Sequence, residues 1–305
     1  MYKIIIAGGT GFLGQSIIQH FQKRKDTQIF VLTRSKTKTN REINYVNWDA
    51  KTLAGWVNIL EGSTAIINLV GKSVNCRYTN RNKKEIIESR INATLAIGKA
   101  INSLSNPPKV WINAGSAAIF GDGLDEIKDE YSFPGTGFSA EVCKQWEQAF
   151  NGIATPFTRK VFLRMGLVFQ KNTGLLLPFV KLAKAGLGGK IGSGNQYISW
   201  IHEHDFLNLI NVAVFDEGFK GIIHGTSPYP VTNGHFMKAL RNTIKRYIGL
   251  PNPALLVKIG AFFIKTEAEL VLTGRRVVSA DLERKNFTFQ YPRIEGALLN
   301  LLVNP

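Results

Sequence analysis

The sequence predicts an α/β protein built on a doubly wound parallel sheet, with a smaller, mainly helical region towards its C-terminal end. Three observations predict it. Short apolar runs alternate with helical stretches through the first half of the chain. The runs Ile4-Ile5-Ile6, Ile29-Phe30-Val31-Leu32 and Ala65-Ile66-Ile67-Asn68-Leu69-Val70 are continuous rather than alternating, as parallel strands buried on both faces must be. A glycine-rich turn, Gly8-Gly9-Thr10-Gly11-Phe12-Leu13-Gly14, joins the first run to the first helical stretch, where a βαβ unit would place it.

Taken in order, strands are expected at residues 3–7, 28–33, 44–47, 65–70 and 109–115, with helices at Phe12–Arg24 and Arg81–Ser103 between them. A helix from about Ser139 to Asn151 leads into a sixth strand over Arg159–Val168. The segment from Gly186 to Gly194 is then too rich in glycine for a helix or a central strand, and reads as a loop beside a ligand or as a flexible connection. Beyond it lie a short strand near Ile198–Ile201, a helix from His204 to about Val214 and a strand near Gly221–Gly225. The rest is mainly helical, over residues 232–247, 254–265, 267–273 and 279–285. The expected division is a nucleotide-binding domain over 1–169 and a substrate-side region over 170–305, interleaved with it near 198–225.

Composition narrows the function classes. A chain of 305 residues with 44% hydrophobic and 20% charged residues has the balance of an ordinary soluble protein. Its longest late apolar stretch, Pro253 to Ile264, carries Lys258; it is too short to span a bilayer and reads as a packed helix, so no membrane partner is expected. The chain opens directly on the strand-like run Lys3 to Ala7, so no secretory segment is expected. Cys76 and Cys143 stand far apart, which points to a reducing compartment, expected to be cytoplasmic, rather than to a disulfide scaffold. The five histidines form no zinc spacing, and no metal is expected. The +16 net charge would attract polyanions. Its cations are scattered (Lys36, Lys38 and Arg41; Arg81, Lys83 and Lys84; Lys245 and Arg246; Arg275 and Arg276), and no nucleic-acid-reading motif accompanies them. A nucleic-acid partner is therefore not expected.

The glycine turn carries the most specific chemistry. Gly8 permits the tight strand-to-helix turn, Gly11 lets a backbone approach a pyrophosphate, and Gly14 allows close packing of helix on strand. Thr10, Phe12 and Leu13 complete the loop, and the free amides at the helix start hold the anion. The ligand is thus read as a nicotinamide dinucleotide. At the end of the second strand, an acidic residue would bind both ribose hydroxyls. Here stand Thr33-Arg34-Ser35-Lys36, with no carboxylate until Glu42. A guanidinium beside a hydroxyl suits a 2′-phosphate, so Arg34 and Ser35 favour NADP(H) over NAD(H). Asp49 is a candidate for the adenine edge.

With this loop, Asn68-Leu69-Val70-Gly71 and the run Gly115 to Gly121, the chain resembles the extended short-chain dehydrogenase/reductase superfamily, a Rossmann fold. More narrowly it is similar to the atypical "epimerase family" group. Further markers are Ser89-Arg90-Ile91-Asn92, Ala140 to Cys143 with Trp146-Glu147, Gly192-Ser193-Gly194 with Ser199 to His202, and Leu272 to Val277. The resemblance implies a Ser/Tyr/Lys set in which tyrosine exchanges a proton with the substrate and lysine tunes it. The serine position falls on Ser116, equally readable as a small residue that lets the strand end approach the cofactor. The tyrosine and lysine positions fall on Phe138 and Val142, which can do neither; Tyr78, Glu141, Lys144 and His202 are candidate stand-ins. By the same resemblance Leu69, Val70, Gly71 and Asn92 line the cofactor, Asn92 being equally readable as a buried amide bridging helix backbone groups. Arg164, Gly166, Ser193 and His202 face the substrate. Arg164 is equally readable as a sheet-edge ion pair, and the nearby Asp205 as a helix cap. Two functions follow: an NADP(H)-dependent oxidoreductase or epimerase acting on a small, nucleotide-sugar-like molecule, or a non-catalytic NADP(H)-binding regulator. A homodimer is implied by resemblance alone.

Overall fold

The computed structural model describes residues 1–35, 39–40 and 43–303; Lys36, Lys38, Arg41 and Glu42 lie outside them. Its elements are Tyr2–Ala7 (β1), Phe12–Gln22 (α1), Thr27–Thr33 (β2), Ile43–Asn47 (β3), Ala65–Asn68 (β4), Asn80–Asn102 (α2), Val110–Ser116 (β5), Phe138–Asn151 (α3), Arg159–Met165 (β6), Leu176–Lys184 (α4), Glu203–Phe215 (α5) and Gly221–Gly225 (β7). The C-terminal helices are Asn233–Thr243 (α6), Ala254–Phe263 (α7), Glu269–Leu272 (α8), Ala280–Arg284 (α9) and Ile294–Leu302 (α10).

The seven strands form one parallel sheet in the order β7-β6-β5-β4-β1-β2-β3, extended by an antiparallel edge at Thr39–Asn40. This is the doubly wound Rossmann arrangement. The chain winds from β1 out to β3, then returns to β4 on the other side of β1, leaving a crevice at their carboxyl ends.

Strand periodicity divides the core. Ile4 and Ile6 face one side of the sheet with Ile17, Phe21, Phe206 and Leu209, so α1 and α5 cover that face. Ile5 and Ala7 face the other with Ala93, Ile97, Trp111 and Phe150, under α2 and α3. Every one of these side chains is almost wholly shielded from solvent, so the sheet's own burial fixes its register.

The structure corrects the sequence reading in several places. The expected single strand over Arg159–Val168 breaks at Gly166, where a Cβ would lie 2.6 Å from the Ser199 carbonyl oxygen. After that glycine, Leu167–Gln170 leaves the main sheet and pairs with Trp200–His202 and Thr173–Gly174. The expected strand over 65–70 ends at Asn68, because the Asn68 side chain takes the Val70 amide at 3.1 Å. Helices α4 and α10 have no counterpart in the sequence reading. Both are too short for a periodic signal to stand out, yet Leu176, Val180, Ala297, Leu298 and Leu301 build a separate C-terminal core with Phe169, Trp200 and Phe236. The expected helix over 267–273 contracts to α8. Finally, the apolar stretch read as a packed helix forms α7, of which Ala261 is the buried residue.

Candidate functional site

The glycine turn is shaped by what its glycines exclude. Gly8 has φ +81°, and a Cβ there would meet the Leu69 carbonyl carbon at 3.0 Å, so residues 69–71 run directly beside the turn. At Gly9 a Cβ would collide with Val31 at 2.8 Å, and at Gly14 with the Gly9 Cα at 2.5 Å. Gly11 differs: a Cβ would meet only the Gly8 carbonyl, at an ordinary 3.5 Å, leaving its outer side open. Gly11 precedes α1 and no side chain caps the helix. The first-turn amides of Phe12, Leu13 and Gly14 therefore have no intrahelical partner. Thr10, Gly11 and Phe12 are exposed. The arrangement is a cradle for an anion, rigid beneath and open above.

At the tip of β2, the Ser35 amide donates to Thr33 Oγ1 at 3.2 Å, and Asn47 Nδ2 donates to the Arg34 and Ser35 carbonyls at 3.3 and 3.1 Å. This holds the backbone while the Arg34 side chain projects into solvent, with no acidic partner among the described residues. Asp49 is already engaged. Its carboxylate accepts from the Lys51 and Thr52 amides at 2.8 Å each and from the Thr52 hydroxyl at 2.7 Å; these bonds hold it at about 2. It closes the turn that leads to Trp56.

On the other side of the crevice, Ser116 ends β5, half-buried, and its Oγ accepts from the Ala118 amide at 3.1 Å. Gly115 before it leaves room for Phe162, which a Cβ would strike at 2.1 Å. Phe138 opens α3 and Val142 lies one turn on, buried. The ring of Tyr78 meets the Phe138 ring edge-on at 4.7 Å. Burial pushes the Tyr78 hydroxyl up to about 12 despite the nearby Ser139, whose own hydroxyl donates to Glu269 at 3.3 Å. The Tyr78 oxygen has no hydrogen bond of good geometry. Of the other stand-ins, Lys144 pairs with Glu141 at 3.1 Å on the solvent side of α3.

Sequence reasoning missed the buried polar network beneath the crevice. Asn68 Nδ2 donates to Asn113 Oδ1 at 2.7 Å, and Trp146 Nε1 donates to Thr94 Oγ1 at 3.0 Å. Thr94 Oγ1 in turn contacts Asn113 at 3.4 Å. The network ties β4, β5, α2 and α3 together at the point where the cofactor strands end. Asn68 and Asn113 inside otherwise apolar strands were the available signal, since a polar group buried mid-sheet requires a partner. Arg90 is missed likewise as a positioning group. Its Nη1 donates to the Lys72 and Ile86 carbonyls at 3.0 and 2.9 Å, and its guanidinium lies 5.2 Å from the Trp146 ring, fixing the loop after Gly71. Asn92, half-buried on α2, lies two residues further along that helix.

The expected substrate-side residues do not converge. Arg164 is 5% exposed, and its Nε and Nη2 grip both oxygens of Glu147 at 2.7 and 2.8 Å while Nη1 reaches His224 Nε2 at 3.3 Å. Such a paired guanidinium fits the ion-pair reading of Arg164. His202 is buried as well. Its Nδ1 accepts from the His204 amide at 3.0 Å, capping α5, and its Nε2 contacts Asn300 at 3.1 Å. Burial lowers its pKa to about 4, so the ring is a neutral cap. The Asp205 carboxylate receives the Gln290 and Tyr291 amides at 2.7 and 2.9 Å. Ser193 stays exposed in a turn, where its Oγ takes the Asn195 amide at 3.2 Å. Around it the glycine-rich segment is clamped rather than flexible: Gly189 N–H donates to Leu250 and Gly192 N–H to Asn252, at 3.0 and 2.8 Å. Glycine is needed there because backbone packs on backbone; a Cβ on Gly189 would lie 2.4 Å from the Leu250 oxygen.

Comparison with known proteins follows the same outline. Residues 4–218 match the NAD dependent epimerase/dehydratase family model, and residues 253–301 match a domain of unknown function. The chain is 32% identical to the chloroplastic epimerase family protein SDR39U1 homolog of Arabidopsis thaliana, covering 97% of this chain and 85% of that protein. It is 31% identical to the epimerase family protein YfhF of Bacillus subtilis, covering 99% and 98% respectively. Among solved structures, human epimerase family protein SDR39U1, crystallised with NADPH, superposes with a TM-score of 0.87 at 26% identity, over 99% of this chain and all 100% of that one. A UDP-N-acetylglucosamine 4-epimerase from Bacillus cereus shares the fold at a TM-score of 0.75 and 18% identity, over 99% and 98% of the two chains. This chain belongs to the NAD dependent epimerase/dehydratase family.

Proposed function

We propose that this protein binds NADP(H) in the crevice between β1 and β4 and uses it to reduce a carbonyl on a small, nucleotide-sugar-like molecule. The observation that carries the reading is the cradle itself. Three glycines admit no Cβ, the fourth, Gly11, stays open, and the helix amides above it lack partners. Gly8 to Gly14 would hold the pyrophosphate and Leu69 to Gly71 would flank it. Arg34 and Ser35 would take the 2′-phosphate, and Ser116 and Asn92 would face the nicotinamide end. Asp49, exposed but engaged within its own turn, would border the adenine edge. The human relative's NADPH supports the choice of cofactor.

When bound, reduced nicotinamide supplies a hydride; the substrate oxygen then needs one proton. Phe138 and Val142 cannot deliver it. Tyr78 is the candidate donor, because its ring packs edge-on against Phe138, the residue at the tyrosine position. Held at about 12 by burial, it keeps its proton throughout the physiological range, which suits giving over taking. Ser116 would orient the carbonyl, and the proton lost by Tyr78 returns from solvent. Two cysteines, both free, fit a reducing, cytoplasmic setting. A second reading, an NADP(H)-binding regulator without turnover, is favoured by the same Phe138 and Val142.

Titration calorimetry with NADPH and NADH tests the proposal. NADPH should bind more tightly, and Arg34→Ala should weaken NADPH by about tenfold or more, the value of one charge-assisted phosphate contact, with little change for NADH. Equal losses for the two would overturn the cofactor assignment. Tight NADPH binding with no oxidation across carbonyl and nucleotide-sugar panels would select the regulator.

A further inference from the structure

Helix α7 carries its apolar side outward. Leu255, Leu256, Ile259, Phe262 and Phe263 recur at the spacing of one helical stripe, which in a globular protein normally faces the core. Here all five are exposed, Leu255 at 70% and Phe263 at 76%, while Ala261 on the opposite side is buried. The patch continues through Tyr247, Ile248 and Leu250 before the helix and Ile264 after it, all exposed.

Its charge is one-sided. From residue 245 to residue 265 the chain carries Lys245, Arg246, Lys258 and Lys265 and no Asp or Glu, and the four cations are exposed around the apolar stripe. The helix is held firmly at its ends. The Leu250 and Asn252 amides donate to the Gly186 and Lys190 carbonyls, both at 2.8 Å; past the helix, Arg77 Nη1 donates to the Thr266 carbonyl at 3.2 Å.

We infer that this face docks on an anionic bilayer surface. An outward apolar patch collared by lysine and arginine would seat its apolar side chains in the acyl boundary and its cations on lipid phosphates. A second copy is the weaker occupant, since stacking two such faces would bring two sets of cations together. The helix lies on the bilayer rather than crossing it: ten residues span about 15 Å, half the hydrocarbon thickness, and no described helix is long and apolar enough to cross. The exposed stripe corrects the sequence expectation of a packed helix, and the proposal departs from the expectation of no membrane partner. Docking and cofactor binding use different residues, so either can fail without the other.

Flotation of the full chain with lipid vesicles tests it. The chain should float with phosphatidylcholine vesicles containing phosphatidylglycerol, much less with phosphatidylcholine alone, and less again at high salt. Leu255→Asp with Phe263→Asp should lower vesicle binding by about tenfold or more with an unchanged melting temperature and NADPH affinity, because both side chains are already in water. Arg246→Glu with Lys258→Glu should lose the preference for anionic lipid. The inference is overturned if the chain stays unbound at low salt, or if the double aspartate variant floats as well as the unaltered chain. It is also overturned if the unaltered chain sediments as a dimer that this variant dissolves.

Discussion

At the scale of single residues, the site is defined as much by what side chains cannot do as by what they do. Phe138 and Val142 carry no transferable proton, and the fold sets the Tyr78 ring against the first of them. The half-buried phenol has a shielded hydroxyl without a good partner, and burial is the main cause of its raised pKa. If Tyr78 is the donor, Tyr78→Phe should leave NADPH affinity within about twofold and cut reduction by about 10²–10⁴, the usual value of a positioned acid. Single-turnover absorbance at the reduced-nicotinamide band, beside calorimetry on the same sample, separates these effects. Unchanged turnover would assign the proton to another group. Arg164 and His202 illustrate the opposite case: their chemistry is spent on Glu147, His224, His204 and Asn300, so they hold the scaffold in place.

At the scale of elements, the turn and the first helix act as one part, and its glycines have separable duties. Gly14 packs against the Gly9 backbone, where a Cβ would sit 2.5 Å from Cα. Gly14→Ala should therefore destabilise the fold by about 1–3 kcal/mol, the usual range for overpacking, visible as a lower melting temperature without any ligand. Gly11 meets nothing closer than 3.5 Å. Gly11→Ala should melt normally and yet lose NADPH affinity, since its added methyl occupies the ligand's side of the turn. Thermal melts with and without NADPH distinguish the two variants; a Gly11→Ala protein whose stabilisation by NADPH matches that of the unaltered chain would contradict the cradle. The helix on the opposite face gains its place from a different source. Thr79 caps α2 by accepting the Asn82 amide at 3.2 Å, and Arg90 and Ser89 on that helix then hold the loop after Gly71.

At the scale of the whole molecule, strand pairings and partly buried hydrogen bonds cross between the two halves. Residues 221–225 return to the main sheet and pair with β6. Glu130 receives the His224 and Ala280 amides, both at 2.9 Å, and Arg276–Val277 pairs with Ile127–Lys128. A fragment of residues 1–169 should therefore lack a cooperative thermal transition, whereas the full chain should unfold in one step; calorimetric scans of both would decide, and two separated transitions in the full chain would refute it. What the sequence by itself determined was local pattern in the first half of the chain. Continuous apolar runs placed β1, β2 and β4, and the glycine spacing placed the turn, because these depend on neighbours a few residues apart. Only the tertiary structure decided what depends on distant partners. Gly166 ends a strand because Ser199 presses on it, Arg164 becomes structural because Glu147 is there, and Tyr78 reaches Phe138 across 60 residues of chain. The outward stripe of α7 belongs to the same class: an amphipathic pattern declares that one side is apolar, but only the packed molecule decides whether that side meets a core or is left for a partner.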